Sequence, residues 1–547
     1  MPGSCRRTPG GWAKGARRRV AENRAGSTGW RHSAAAIAVW QGLFVVLLLA
    51  QALTAAIDYD EEQYVSAGVL ARHLMLYRDF IYLQSPADPL LLAALYGATG
   101  GYYLLTARLV SAALAISVFW LTASLLRRYG VGRGLAVMLA SIALLSPFLD
   151  RPIATARNDI LPLALFLAGL LLYLEAPARG RAWFAAAGLC VGLAVEAKVS
   201  YIFAPLGLLA YTAWAPGRLE RLAPLAAGIA VAALPGLFYL AAAPDRVWYD
   251  LYEYHVTAPG VWYQRQGQTA LLTPGYRLAA LGVLLGWGSN LSLTLLVVGL
   301  AAIRLYQGAV DAKPPAAPPG LLGVLLALAV LSGFQPSPTW PMYYAPVAPL
   351  LAALAASMFM RIRVSGPPPL APLLLVIAAV PALPPLGRAL GTVPLLLHPS
   401  VWPGVVVHEQ AEALARTLRA AGLPGDVATL FPSHVLDAET VRPEFASGPF
   451  FYRTADLVPP DRVAELHGAS AGGLDTLFAE APPAAIVGGF AAGQWSVEMD
   501  AGLRDYAVRH GYRRVAPDDK ALWPDGAWLY LRNTATAESG RAIANPP

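Results

Sequence analysis

Five ionisable residues that could take part in catalysis or substrate binding lie in residues 57–89, directly after the first long apolar run of the sequence. Between hydrophobic segments, such groups must lie in water or line a polar cavity. Carboxylates placed there could act as general bases, although an ordinary solvated loop would also carry such charges. The helical pattern of residues 61–76 predicts a short interfacial helix that begins in a cluster of carboxylates. The five residues are Asp60, Glu61, Arg78, Asp79 and Asp88.

Further polar residues stand beside later apolar runs, where they could meet the first group. Each also has a simpler interpretation: Asp159 could cap a helix, Lys198 could extend to the membrane surface or pair with Glu196, and interfacial aromatics often anchor a protein in the bilayer. Taken together, carboxylates and cations at one membrane face suit acid–base chemistry beside an anionic leaving group. The candidates are Arg157, Asp159, Lys198, His255, Tyr343 and Tyr344.

The composition is that of a membrane protein. Of 547 residues, 56% are hydrophobic and 14% charged, whereas about a quarter of the residues in a soluble protein are charged. Apolar runs long enough to cross a bilayer recur along the first 390 residues. The two cysteines, Cys5 and Cys190, indicate neither a disulfide framework nor a metal site built on cysteine.

Basic residues between the runs predict the orientation. Residues 1–33 form a basic tail that we expect to be disordered and cytoplasmic, and a nucleic-acid role is disfavoured beside a membrane span. The alternative for the first run is a cleaved signal peptide, for which it is long. We therefore predict a multi-pass protein of the inner (plasma) membrane in which the N-terminus is cytoplasmic and the C-terminus extracytoplasmic. The eleven predicted spans are 34–56, 102–126, 133–149, 160–175, 182–196, 200–215, 222–242, 278–303, 319–334, 342–359 and 368–388.

The chain divides near residue 390, where prolines interrupt the apolar pattern. We therefore predict a transmembrane part over residues 34–390 and a small extracytoplasmic α/β domain over residues 391–535. Helical patterns occur at 408–422 and 500–510, and residues 536–547 are expected to be disordered. Short β-type runs occur at 426–431, 484–489 and 528–533.

Several motifs appear in an order that resembles the GT-C superfamily of membrane glycosyltransferases, of the protein O-mannosyltransferase and aminoarabinose transferase type. Asp60-Glu61-Glu62-Gln63-Tyr64 resembles the family's Asp-Glu-x-x-Tyr motif after the first span, and Tyr77-Arg78-Asp79-Phe80 a segment that often follows. Later matches in kind are Arg157-Asn158-Asp159, the run Gly192 to Lys198, and Tyr343-Tyr344-Ala345-Pro346. One departure concerns Ser85-Pro86-Ala87-Asp88-Pro89, where many relatives have His-Pro-Pro or Gln-Pro-Pro.

The resemblance implies inverting transfer of a sugar from a polyprenyl-phosphate carrier to an acceptor hydroxyl on the outer face. The acceptor would be a glycan, a lipid or a protein. Asp60 would be the general base, and Asp159 and Glu61 would orient the base or the acceptor. No cofactor is required, although a carboxylate pair could bind a divalent metal, as in oligosaccharyltransferase-like relatives. The donor phosphate would be met by Lys198, Arg157, Tyr344 and Tyr343, and the acceptor side by Arg78, Asp79, Asp88 and His255.

Two other classes of protein fit parts of the pattern. A multi-span transporter or lipid flippase would carry polar groups in its spans, but such folds often show paired repeats and midplane sites, neither of which is evident here. An anchor that only displays the outer domain would not need Asp60, Asp159 and Lys198 on the same side of the membrane.

Overall fold

The computed structural model of the chain describes residues 34–214, 218–307, 318–362, 370–490, 497–516, 523 and 526–533. Most of these residues are helical. The two tails predicted to be disordered, 1–33 and 536–547, lie outside the described residues. The same is true of Lys313 and Arg363, two of the basic residues used to predict orientation.

Six helical segments in the described part of the chain are long and apolar enough to cross a membrane, and a bent pair would make a seventh. Each predicted span contains a helix, and the count of eleven remains a prediction. The six are Ala34–Thr54 (α1), Tyr103–Arg128 (α4), Ile160–Arg179 (α7), Gly288–Gln307 (α15), Pro341–Phe359 (which ends in α17, Val347–Phe359) and Leu370–Leu397 (which contains α18, Leu370–Ala379, and α19, Leu383–Thr392). The bent pair is Arg218–Ala232 (α10) with Leu234–Ala242 (α11). Shorter helices complete the bundle: Arg133–Leu144 (α5), Arg181–Ala197 (α8), Phe203–Ala213 (α9), Pro274–Leu285 (α14) and Pro319–Phe334 (α16).

Two predicted spans differ from the structure in their continuity: 222–242 contains the bend between α10 and α11, and 278–303 is interrupted as well. Residues 278–303 were expected as one helix, but the chain breaks between α14 and α15. Gly288 there adopts φ +55°, a left-handed conformation that interrupts a right-handed helix. The prediction of a single continuous span at this place was therefore wrong.

Glycine allows α8 and α10 to approach closely. A Cβ added at Gly188 would lie 2.1 Å from the carbonyl oxygen of Leu225, and one added at Gly228 would lie 2.0 Å from that of Ala185. Side chains at these positions would push the helices apart. Small residues commonly mediate such contacts between membrane helices. The end of α8, where Lys198 follows, is thereby held against its neighbours.

Short helices lie between the apolar segments, and they form most of residues 243–277. A π-helical turn, Tyr249–Glu253, separates two of them. The helix predicted at 61–76 is shorter than expected and ends at Leu70. These helices are Tyr59–Leu70 (α2), Ala87–Thr99 (α3), Asp150–Ala154 (α6), Pro244–Trp248 (α12) and Tyr254–Arg265 (α13).

The C-terminal region contains the expected α/β elements around a four-stranded sheet of order β1-β2-β4-β3. β1 and β2 are parallel, and the other two pairs are antiparallel. The third strand had not been predicted, because two of its three residues are exposed arginines and no apolar run marks it. The strands are Val427–Thr429 (β1), Ala485–Gly488 (β2), Arg513–Val515 (β3) and Trp528–Leu531 (β4). The helices are Pro403–Ala420 (α20), Pro449–Tyr452 (α21), Pro460–Glu465 (α22), Leu474–Leu477 (α23) and Val497–Arg509 (α24).

The C-terminal region shares a hydrophobic core with the short helices beneath it. Val65 of α2 and Leu92 of α3 belong to the same buried cluster as Leu414 of α20 and Ile486 of β2. A separate cluster fills the membrane bundle. The C-terminal region is therefore packed onto the helix that carries Asp60.

Candidate active site

The first turn of α2 is fixed by its own carboxylates. Asp58 is the N-cap residue, and its Oδ1 accepts a hydrogen bond of 3.0 Å from the amide of Asp60. In return, Glu61 Oε2 accepts a 2.8 Å bond from the amide of Asp58. This reciprocal pattern is a capping box, which satisfies amides that a helix start leaves unpaired. It holds Asp60 in the first turn with a defined direction.

Arg157 brings three carboxylates together between α6 and α7. Its Nε donates to Asp159 Oδ2 at 2.9 Å and its Nη1 donates to Asp58 Oδ1 at 3.0 Å. The same Nη1 forms an ion pair with Asp60. The guanidinium side chain is only 5% exposed, so its charge is compensated almost wholly by these acids.

Lys198 approaches the cluster from the other side. The chain becomes extended directly after α8, and the Lys198 ammonium forms a buried ion pair with Asp159. The alternative pairing of Lys198 with Glu196 is not formed, and Glu196 Oε2 has no hydrogen-bond partner among the described residues. Lys198 Nζ also lies 5.2 Å from the centre of the Tyr343 ring, within the range of a cation–π interaction.

Asp60 and Asp159 differ in exposure and in proton affinity. The Asp60 side chain is 17% exposed, whereas that of Asp159 is 1% exposed. Burial raises the pKa of Asp60, and the nearby Arg157 offsets this only in part. Burial also acts on Asp159, but Lys198 and Arg157 outweigh it and hold its pKa below the ordinary value. Acid–base catalysis uses this division of roles: one accessible acid has a raised pKa, and the acid beside it has a lowered pKa.

Glu61 lies away from the exposed part of this cluster. Arg108 of α4 donates to both of its oxygens, at 2.9 and 2.8 Å, and both side chains are fully buried. The amide of Ala156 adds a 2.7 Å bond to Glu61 Oε1. With all these donors, Glu61 is placed to fix α2 against α4 rather than to contact a substrate.

Arg108 was not singled out from the sequence, and Asn158 was named there only as part of the Arg157-Asn158-Asp159 motif, without a role of its own. Asn158 is fully buried, accepts a 2.9 Å bond from the Tyr64 hydroxyl, and donates to Gln84 Oε1 at 3.1 Å and to the carbonyl of Ala197 at 3.3 Å. It thereby joins α2 to the residue before Lys198. For Arg108, the signal was a lone charge inside an apolar helix, which usually has a structural or functional partner.

The two tyrosines predicted for the donor phosphate have different surroundings. Tyr343 faces the ion cluster through Lys198. Tyr344 is fully buried, lies against Phe148, and receives a 3.2 Å hydrogen bond from Thr339. Only Tyr343 is therefore in contact with the charged residues of the site.

The four acceptor-side candidates separate into two pairs. Asp88 is 7% exposed, and burial together with the charge of Asp159 raises its pKa to about 7. His255 shares a 2.6 Å hydrogen bond with the carbonyl of Leu83, and burial lowers its pKa. Both lie beside the cluster. Arg78 and Asp79 instead pair with each other at 2.8 Å near the surface, and none of their described contacts reaches the cluster.

The described residues contain no group of three or more histidine, cysteine, aspartate or glutamate side chains arranged to hold a metal ion. Three carboxylates do converge, but the guanidinium of Arg157 lies between them. The donor set seen here therefore does not fit a resident divalent cation.

Neither a protein-family model nor a curated protein matches the sequence. Solved structures do match it. ArnT from Cupriavidus metallidurans bound to undecaprenyl phosphate superposes with a TM-score of 0.59 at 16% identity, over 92% of this chain and 98% of that one. Arabinofuranosyltransferase AftD from Mycobacteria gives 0.51 at 15% identity, over 90% of this chain and 39% of that one. The chain has the GT-C fold.

The GT-C fold accounts for how the site is assembled. α2, the α6–α7 connection and the end of α8 each bring one charged element of the cluster, although they are far apart in sequence. Three of the motifs found in the sequence are thus neighbours in space. They contain Asp60, Arg157 to Asp159, and Lys198.

Proposed function

We propose that this protein is a membrane glycosyltransferase that moves a sugar from a polyprenyl-phosphate carrier to an acceptor hydroxyl, with inversion, on the extracytoplasmic face. The observation that carries the proposal is the continuous chain of ion pairs from Asp60 through Arg157 and Asp159 to Lys198. It lies in a GT-C fold that also occurs in ArnT, whose structure was solved with undecaprenyl phosphate.

In this mechanism Asp60 is the general base. Its ionised carboxylate accepts the proton of the acceptor hydroxyl while the hydroxyl oxygen attacks the anomeric carbon of the donor. The bond between that carbon and the phosphate oxygen breaks, and its electron pair leaves with the phosphate. Attack from the face opposite the phosphate inverts the anomeric configuration. The raised pKa of Asp60 supports this role, because a base of higher proton affinity accepts a proton more readily.

The cations then have separate tasks. Lys198 offsets the charge that grows on the departing phosphate, and Tyr343 keeps the ammonium in place. Arg157 holds Asp58, Asp60 and Asp159 together, which leaves it little capacity to bind a phosphate. Asp159 stays ionised and keeps both cations oriented. No step requires a metal or another cofactor.

The proposed roles of these residues also imply where the lipid donor and the acceptor lie. The lipid tail of the donor lies in an apolar groove between spans, so its phosphate waits at the membrane surface. The protein spans the inner membrane with a cytoplasmic N-terminus, and the C-terminal region faces the outside with the acceptor, which is a glycan, a lipid or a protein.

The test is sugar release from radiolabelled polyprenyl-phosphate sugars in membranes that contain the wild type, Asp60→Asn or Asp245→Asn. Asp245 is an exposed acid at the start of α12 and serves as a matched control. We expect release by the wild type and the control and none by Asp60→Asn. Equal release by Asp60→Asn would refute the base assignment. Solute flux in reconstituted vesicles, without release from any donor, would favour transport instead.

A further inference from the structure

Three consecutive acids of α2 make contacts in three different directions. Asp60 belongs to the ion cluster, and Glu61 is bound by Arg108. The third, Glu62, is 1% exposed and points into the C-terminal region, where its Oε2 accepts a 2.9 Å hydrogen bond from the amide of Ser433. Its Oε1 has no hydrogen-bond partner among the described residues. The proposed reaction makes no use of this buried carboxyl group.

The Ser433 side of the contact is rigid. Ser433 lies in a short 3-10 helix, Pro432–His434. The ring of His434 stacks on Phe490 at 4.1 Å and shares a 2.5 Å hydrogen bond with Gln410 of α20. The amide that binds Glu62 is thus held in place by the body of the C-terminal region.

A second contact lies one turn further along α2. The Ser66 hydroxyl donates a 2.5 Å hydrogen bond to the carbonyl of Ala446. A Cβ added at Gly448 would lie 2.9 Å from the Cβ of Glu62, which shows how closely the two backbones approach there. Glu62 and Ser66 therefore attach one face of α2 to the C-terminal region, and Asp60 lies in the same first turn as Glu62.

We propose that Glu62 is a positioning residue, which attaches α2 to the C-terminal region through Ser433 and thereby sets the direction of Asp60. The proposal rests on the proposed function for the role of Asp60, but not for the attachment itself. It makes the C-terminal region part of the catalytic unit: a shift of Ser433 would move the helix that carries the base.

The charge state of Glu62 provides a readout. Burial raises the pKa of Glu62 to about 8, the Ser433 amide acts in the opposite direction, and the charge of Glu61 adds to the rise. Tyr59 is another titratable group beside Glu62. His434, the residue after Ser433, is neutral because burial lowers its pKa to about 3. Because the pKa of Glu62 is raised on folding, its stabilising effect is complete below the ordinary glutamate pKa and is lost as the pH rises through about 8.

The experiment compares Glu62→Ala and Glu62→Gln in the full-length protein, with Asp456→Asn as control. Asp456 pairs with Arg265 at 2.8 Å in an exposed contact between α13 and the C-terminal region, and such pairs contribute little. For Glu62→Ala we expect kcat to fall ~10- to 100-fold while the donor KM changes less than about twofold, as for a displaced catalytic group. Hydrogen exchange of the α2 amides should become faster in this variant and stay unchanged in the control.

Glu62→Gln keeps an acceptor for the Ser433 amide and removes the ionisation. We expect wild-type activity at neutral pH, and a melting temperature that exceeds the wild-type value by an increasing margin as the pH rises from 7 to 9. If Glu62→Ala does not fold, the comparison of Glu62→Gln with the wild type still tests the proposal. Unchanged α2 exchange in Glu62→Ala, or a margin that does not vary with pH, would overturn the proposal. If the wild type transfers no sugar, the proposed function fails while exchange and melting still test the attachment.

Discussion

Glu61 and Arg108 form a two-bond ion pair, at 2.8 and 2.9 Å, in which neither side chain has any exposed surface. Arg108 also donates to the carbonyls of Ala52, Ala55 and Ala56 at the end of α1. One guanidinium thus joins α1, the helix α2 that carries Asp60, and α4.

The first prediction concerns this pair. Arg108→Ala leaves Glu61 buried without its cation, and we expect the free energy of unfolding to fall by about 3–5 kcal/mol. Arg128→Ala removes another arginine of α4, whose partly exposed pair with Glu175 contributes about 0–1 kcal/mol. Denaturant unfolding in detergent measures both. Equal stability of the two variants would contradict a structural role for Arg108.

Glu61→Gln separates structure from catalysis. Glu61 contacts Arg108 and two backbone amides, and none of these contacts reaches the exposed side of the cluster. We therefore expect less folded protein but a nearly unchanged kcat for the fraction that folds. Active enzyme can be counted by quantitative binding of the lipid donor before rates are compared. A kcat as low as that of Asp60→Asn would restore Glu61 to a catalytic role.

The pH dependence of transfer should follow Asp60. The base must be ionised, so kcat/KM should rise with pH through the pKa of Asp60, which burial places above the ordinary aspartate value. Arg157→Gln removes the main opposing charge and should move this rise to higher pH. Asp159→Asn removes a repelling charge and should move it to lower pH. Profiles that do not move in opposite directions would exclude Asp60 as the titrating group.

Lys198 should act on the donor. Its ammonium lies at the end of the cluster, paired with Asp159 and set over Tyr343. Lys198→Ala should impair donor use ~10- to 100-fold, the range for a lost charged hydrogen bond, and should impair acceptor use less. Lys198→Arg retains the charge and should retain more activity. Kinetics with both substrates varied would contradict the assignment if the acceptor KM changed more.

Much of this site could be predicted from the sequence because motif order carried the information. Asp60, Arg157, Asp159 and Lys198 each stand beside an apolar run in motifs that the sequence analysis singled out, and the structure brings them into contact. The helices and strands of the C-terminal region could be predicted for a different reason: the spacing of apolar residues that indicates each element lies within a short stretch of sequence.

Pairings across long sequence separations could not be predicted. Glu61 and Arg108 are 47 positions apart, and Glu62 and Ser433 are 371 apart. Three adjacent acids look alike in sequence, and only the rotation of about 100° per residue in a helix sends them to different partners. The break before Gly288 was also missed, although Gly286, Gly288 and Asn290 are turn-forming residues within the apolar run.

Tyr343 and Tyr344 are adjacent in sequence but contact different residues, so variants of each test whether only Tyr343 contributes to donor binding. Tyr343 lies under the Lys198 ammonium, so Tyr343→Ala should lose a cation–π contact of about 1 kcal/mol and weaken donor use ~5-fold, while Tyr343→Phe keeps the ring and should stay near wild type. Tyr344→Phe removes the hydroxyl that Thr339 binds, and should cost about 1 kcal/mol of stability without affecting the donor KM. Donor titration and thermal unfolding of the three variants measure these effects. A donor KM that rose in Tyr344→Phe and not in Tyr343→Ala would reverse the assignment and place Tyr344 beside the phosphate.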